Sequence, residues 1–254
     1  MHQHDIFGVL PVNKPSGLTS RDVVNRVQKL IRPLKIGHTG TLDPMASGVL
    51  LLAIGPATRL VEFSHRMKKS YQADFLLGLT SDTLDTDGLV QACGEMVEIQ
   101  ASQWQAEMKN WLGKIQQRPP RFSAVHVNGR RAHELARQGV DFEIPAREVC
   151  IYQLELLRFQ YPQVNLSIEC STGTYVRCLG VDIAQALGTS AVMSRLVRTA
   201  IGPFTLESCS TLEELSDRNA VARNVRPPLE MLPNMPIIIL SDQQCRQLQY
   251  GQTI

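Results

Sequence analysis

Several features are missing from this 254-residue sequence, and each absence excludes a class of protein. None of its six cysteines forms a Cys-x-x-Cys pair, and none sits in tight spacing with histidine. They are expected as small buried or half-buried thiols in a reducing cytosol, not as a disulfide framework or a zinc site. A charge excess is missing too. The net charge is +2, which neither demands nor excludes a nucleic-acid partner, so any such contact must come from local clusters. The longest apolar run, near Val49 to Ile54, is far too short to span a bilayer. The first residues, MHQHDIFG, lack the basic start and apolar core of a secretory leader, so a cytoplasmic protein with no membrane partner is expected. His2 and His4 are expected as a mobile tip rather than a metal site. No repeat or low-complexity segment is visible. Gly-x-x-x-x-Gly-Lys-Ser/Thr, Gly-x-Gly-x-x-Gly and Gly-x-Ser-x-Gly are all absent, which removes the common phosphate loops and the nucleophile elbow.

What is there describes an ordinary folded chain, with 43% hydrophobic and 20% charged residues. Phe7 to Val12 reads as a strand. Thr19-Ser20-Arg21-Asp22 is a capping box. Val23, Val24, Val27, Leu30 and Ile31 follow at helical spacing, so a helix is predicted to run to about Arg32 and stop before Pro33. Residues 49–54 read as a buried strand or the end of a short helix. Tyr71, Ala73, Phe75, Leu77 and Leu79 alternate as a half-buried strand does, and so do Val164, Leu166, Ile168 and Cys170. Ser102-x-x-Gln105 predicts a helix with Trp104, Met108, Trp111, Leu112 and Ile115 on one stripe. Asn128-Gly129 predicts a hairpin. Val176 to Leu187 predicts a helix entered through STGT. Strands and helices mix without a regular β-α-β beat, which argues for an α+β fold.

The segment with most backbone control is GHTGTLDPMASGVL. It is expected to be a rigid exposed loop aiming one carboxylate, Asp43. Gly37, Gly40 and Gly48 allow positive φ and close approach, and Pro44 restrains the backbone around the acid. By residue type alone, an Asx-type turn without chemistry explains it as well. TLDTDG, residues 83–88, reads as a solvated acidic turn. It fails the EF-hand spacing, since the twelfth position is Gly94.

These residues carry a resemblance. GHTGTLDPMASGVL resembles the catalytic motif of the TruB family, bacterial tRNA pseudouridine synthases that act on the T-loop uridine at tRNA position 55. VNKPSGLTS, KSYQADFLLG, RPPRFSAVHVNGRRAHELAR, STGTYVRCLGVDIAQAL and SRLVRT resemble that family's other blocks, in order. The resemblance spans about Phe7 to Gly251. It implies a central curved, largely antiparallel mixed sheet flanked by helices. It also implies base flipping, an aspartate-dependent isomerisation, and no cofactor or metal.

On this resemblance Asp43 is the catalytic carboxylate, Arg177 its ion-pair partner, and Tyr71 the ring that stacks on the flipped uracil. An arginine in that place can grip a carboxylate through two nitrogens. Leu196 closes the base pocket, His38 enters the T-loop stack, and Lys14 and Pro15 pack beside the Asp43 loop, where Thr41 hydrogen-bonds backbone. Whether Asp43 attacks C6, attacks C1′ or removes a sugar proton stays open.

Arg118, Arg121, Arg130, Arg131 and Arg137 cluster, and Arg66, Lys68 and Lys69 precede Tyr71. Both groups are candidate phosphate contacts for the tRNA T-stem-loop. Residues 1–235 are expected to form the catalytic domain. Residues 236–254 resemble the start of a PUA-type RNA-binding domain. A monomer is the expected state. Two rivals remain: a catalytically silent RNA-binding protein, and a metal-dependent enzyme using the acids at 82–87.

Overall fold

A computed structural model describes residues 6–93, 98–232 and 235–254, so the expectation for His2 and His4 lies outside the described residues. In chain order the strands are β1 (Gly8–Lys14), β2 (Ile36–His38), β3 (Ser47–Ile54), β4 (Lys69–Leu77), β5 (Leu79–Thr80), β6 (Gln91–Ala92), β7 (Gly113–Gln117), β8 (His126–Val127), β9 (Arg130–Arg131), β10 (Arg147–Gln160), β11 (Gln163–Cys170), β12 (Ala191–Ile201) and β13 (Phe204–Thr205). The α-helices are α1 (Ser20–Ile31), α2 (Val61–Ser64), α3 (Ala101–Met108), α4 (Ala132–Arg137), α5 (Val176–Ala186), α6 (Arg218–Asn224) and α7 (Asp242–Gln249).

Nine strands form one sheet in the order β1-β3-β12-β4-β11-β10-β7, with β2 on β3 and β13 on β12. All pairs are antiparallel except β3 with β12, so the expected mixed, largely antiparallel sheet is present. The two ends of the sheet are buried differently, and the sequence shows why. β3 has helix α1 over Leu50, Leu52 and Ile54, while Val49, Leu51 and Ala53 pack into a separate core on the other face. A strand covered on both faces reads as the unbroken run VLLLAI. β4 is apolar on one face only, where Tyr71, Ala73 and Phe75 meet α3 and α5 through Trp104 and Leu179. Its sequence alternates accordingly. Gly180 lets α5 lie against this face, because a Cβ there would overlap the Phe75 ring.

The cap at α1 is as expected. Thr19 accepts from the Asp22 amide at 3.1 Å and Asp22 accepts from the Thr19 amide at 2.9 Å. Asn128 and Gly129 both have positive φ, 50° and 80°, as a type I′ hairpin requires.

Other expectations need correction. α3 is capped by Gln100 with Gln103, not from Ser102, and it ends at Met108. Trp104 is fully buried, but Leu112 is exposed and Ile115 lies in β7, so the long stripe breaks at a turn. Gly37 and His38 belong to β2 rather than to the loop. Of Gly37, Gly40 and Gly48, only Gly48 has positive φ. Cys93 and Cys245 are exposed, so not every thiol is sheltered. No helix among the described residues is long and apolar enough to cross a membrane.

Candidate active site

The Asp43 loop runs from β2 to β3 and is held at its backbone from three sides. From β1, the fully buried Lys14 donates to the carbonyls of Pro15 at 3.0 Å, Leu18 at 2.5 Å and Pro44 at 3.2 Å. From α1, Ser20 exchanges hydrogen bonds with Leu42, accepting from its amide at 2.9 Å and donating to its carbonyl at 3.1 Å. From β12, Arg198 donates to the carbonyls of Val49 at 2.7 Å, Gly40 at 3.2 Å and Thr41 at 3.4 Å. Arg198 reaches the loop because β12 runs beside β3, with Arg198 opposite Gly48. Gly48 has φ 106°, and a Cβ there would collide with the Arg198 backbone. Positive φ at Gly48 is thus as expected, but the close approach there is to a neighbouring strand rather than to a ligand.

Asp43 is half-buried, with 35% of its side chain exposed. Its carboxylate forms an ion pair with Arg177, Oδ2 lying 3.1 Å from Nε. The expected two-nitrogen grip does not form. The other nitrogens of Arg177 are engaged by the Thr83 carbonyl at 2.5 Å, the Asp85 carboxylate at 3.2 Å and the Phe122 carbonyl at 3.1 Å. Arg177 is thus the hub of four groups and only 4% exposed. Burial pushes the Asp43 carboxyl above its ordinary range; Arg177 opposes this, and the charges of Asp85 and Asp87 reinforce it.

Asp85 is the main residue the sequence reading missed. The TLDTDG turn looked solvated, yet Asp85 is 3% exposed and joins the turn to Arg177. It also accepts from the Thr83 hydroxyl at 2.6 Å and the Asp87 amide at 3.1 Å, so its lone pairs are committed within the protein. Arg198 was missed as well, although it lies in the quoted SRLVRT block. Little in the sequence marks it, because Arg198 shares AVMSRLVRTAI with the exposed Arg195 and only the fold tells the two apart.

Asp43 opens onto two connected spaces. The inner cavity, about 240 Å³, brings Asp43, Tyr71, Arg177, Leu196 and Thr41 together as expected, with Arg198 beside them. Tyr71 and Leu196 are 7% and 6% exposed. Burial raises the Tyr71 hydroxyl above its ordinary pKa, so it stays protonated at neutral pH. The outer cleft, about 650 Å³, runs from Asp43 past the 82–89 turn to Arg131, His133 and Arg137.

His38 lines neither space. It ends β2, its Nδ1 is buried without a partner among the described residues, and burial first, then Arg21 and Arg198, lower its pKa. Pro15 is exposed and contributes its carbonyl to Lys14. Arg121 pairs with Asp141 at 3.2 Å and Arg130 donates to Gln138 at 2.7 Å, both on the surface, and neither lines the two spaces beside Asp43. Lys69, a candidate phosphate contact with Arg66 and Lys68, is 6% exposed and faces the inner cavity.

A buried cation fixing one half-buried carboxylate beside an aromatic ring can bind a planar base and present an acid to it. Comparison with known proteins agrees. The N-terminal domain of TruB family pseudouridylate synthase matches residues 28–176, and the C-terminal domain of tRNA pseudouridylate synthase B matches residues 177–232. Proteins named tRNA pseudouridine synthase B from Rhodopirellula baltica and Moorella thermoacetica are 40% and 42% identical, each over 98% of this chain and over 76% and 84% of their own length. Among solved structures, a Cbf5-Nop10-Gar1 complex superposes with a TM-score of 0.76 at 29% identity, covering 98% of this chain and 68% of the matched one. An H/ACA RNP bound to a substrate RNA containing 2′-deoxyuridine gives 0.75 at 27% identity, covering 99% and 68%. The chain belongs to the TruB family of pseudouridylate synthases.

Proposed function

We propose that this chain isomerises the T-loop uridine at position 55 of tRNA to pseudouridine, with Asp43 as the catalytic carboxylate. One observation carries the assignment of roles: Asp43 meets Arg177 at 3.1 Å in the wall of a cavity that also holds Tyr71 and Leu196. The target uridine leaves its stack and enters that cavity, where Tyr71 covers one face of the base and Leu196 closes the pocket. The C1′–N1 bond breaks, the base turns, and C1′ bonds to C5. N1 gains a proton and C5 loses one, so the reaction balances without any co-reactant. Asp43 must be ionised to act as nucleophile or base. Arg177 supports that state, against burial and the neighbouring acids.

Arg131, at the rim of the outer cleft, and Arg121 and Arg130 beyond it hold the T-stem-loop by its phosphates. His38 stacks within the T-loop once the base has left. Lys14 and Pro15 support the loop, and Thr41 anchors it through its carbonyl. We take the protein to work as a cytoplasmic monomer without metal or organic cofactor. Residues 1–235 form the catalytic domain and 236–254 the start of a PUA-type unit. In support, Ile237, Ile238 and Ile239 are 88%, 77% and 92% exposed and join none of the three cores.

The test is tritium release from a tRNA transcript labelled at C5 of uridine. Wild type should release about one equivalent per tRNA and Asp43→Asn none, with chelator present in both. Retained tRNA binding without release from wild type would favour a silent RNA-binding protein. Release abolished by chelator would favour the metal-dependent rival.

A further inference from the structure

The inner cavity holds more positive charge than the site chemistry uses. Its walls carry four lysine or arginine side chains, Lys69, Arg147, Arg177 and Arg198, and a single acid, Asp43. Arg177 is matched by Asp43 and Asp85. The other three have no ion-pair partner among the described residues. For Arg198 the loop carbonyls explain this, since all three of its nitrogens donate to them. Lys69 and Arg147 have no such explanation. The Lys69 ammonium donates to the Met67 carbonyl at 3.0 Å and to the Thr172 hydroxyl at 2.5 Å, which leaves one N–H. Arg147 donates through one terminal nitrogen to the Gly173 carbonyl and lies over the Tyr175 ring at 5.1 Å, while its Nε is buried with no acceptor among the described residues.

A buried ammonium and a buried guanidinium donor without a carboxylate are unfavourable until an anion arrives. Burial already lowers the Lys69 pKa to about 8, the direction expected of a cation lacking its counter-charge. Both side chains keep donors that no described residue fills, and both line the same cavity.

We infer that Lys69 and Arg147 form a phosphate subsite that receives the RNA phosphodiester adjoining the target uridine. This deepens the proposed function and rests on it. Strand alternation places Lys69 on the same face of β4 as Tyr71, two residues and about 6.6 Å along the strand. An anion held there stands beside the base that Tyr71 covers, as a nucleotide's own phosphate does. The outer cleft also reaches Asp43 but does not include Lys69 or Arg147, so a strand, rather than a free ion, has room to run from one space to the other.

The test uses T-stem-loop RNA carrying one neutral methylphosphonate linkage, placed immediately 5′ or 3′ of the target uridine or several nucleotides away. Equilibrium binding is measured for wild type, Lys69→Met and Lys69→Arg. One adjoining neutral linkage should weaken wild-type binding roughly tenfold to a hundredfold. Lys69→Met should lose a similar factor on native RNA, lose little more on the RNA neutralised at that linkage, and show a salt slope lower by about one phosphate. Lys69→Arg should recover most of the affinity. If neither adjoining linkage matters more than a distant one in wild type, or if the two losses multiply, the subsite does not exist. Coupling without tritium release would keep the subsite and overturn the isomerase assignment; release without coupling would do the reverse.

Discussion

The Asp43 loop and the arginine-rich segment between β7 and β10 both carry charge, but the fold treats them in opposite ways. Around Asp43 the charged groups are enclosed. Lys14, Asp85, Arg177 and Arg198 are each at most 4% exposed, and each is fastened to named backbone or carboxylate oxygens. In the other region Arg121 faces Asp141, which is 98% exposed, and lies over Phe142 at 4.8 Å, while Arg130 reaches a glutamine. Enclosed charges cannot reorient cheaply, so they hold a reactive group still. Solvated charges at a surface move and are screened, which suits gripping a polyanion whose contacts must form and dissolve. The same residue type, arginine, serves both tasks, and burial decides which.

The largest expected effect comes from breaking the enclosed hub. Arg177→Lys keeps the charge but cannot reach four acceptors at once, so single-turnover pseudouridine formation should fall roughly a hundredfold or more. A near-wild-type rate would show that the fork geometry is irrelevant. Next is the loop clamp. Arg198→Met leaves the carbonyls of Gly40, Thr41 and Val49 without their donor, so stability in urea should drop by about 1–3 kcal/mol. Turnover should drop with it, and Arg198→Lys should restore only part of either. Unchanged turnover in a destabilised Arg198→Met enzyme would separate the clamp from catalysis.

A smaller effect concerns pH. Asp43 sits above the ordinary carboxylate value of 3.8, and only its ionised form can act. Activity should therefore fall on acidification with a midpoint above that value. Asp85→Asn removes a like charge and leaves Arg177 more fully to Asp43, so the acid limb should move to lower pH. A limb that stays in place would mean that the Asp85 charge does not reach Asp43. The smallest effect belongs to the solvated region. Arg121→Ala should lower the salt dependence of tRNA binding by at most about one phosphate contact and leave turnover of saturated enzyme unaltered. A large loss of turnover there would erase the contrast.

How much of this the sequence revealed follows the same division between local and distant causes. The α1 cap, the Asn128-Gly129 turn and β4 are specified by neighbouring residues, and each could be read directly. β10 and β12 were not assigned because bulges interrupt their alternation. In β10 the register shifts between Ile151 and Gln153 and between Leu156 and Arg158. In β12 it shifts between Met193 and Arg195 and between Arg198 and Ala200. A period of two cannot be counted through such breaks. Asp43 stood out because glycine, threonine and proline surround it. Asp85 did not, since a run of threonine and aspartate in a turn looks the same whether it faces water or a buried arginine 92 positions away. For a related reason, the basic run at 66–69 gives no sign that Lys69, unlike Lys68, points inward.

The one parallel pairing in the sheet has a consequence for how the protein comes into being. β3 and β12 lie far apart in sequence, and Arg198 completes the loop that begins at Gly40. During synthesis at roughly 5–20 residues per second, Arg177 and Arg198 are added some 7–30 s after Asp43. Over that interval the nascent chain carries its acid without the two cations that aim it. A partly made chain can thus hold the reactive group and still lack a working site, so chemistry begins only when the last long strand has joined the sheet.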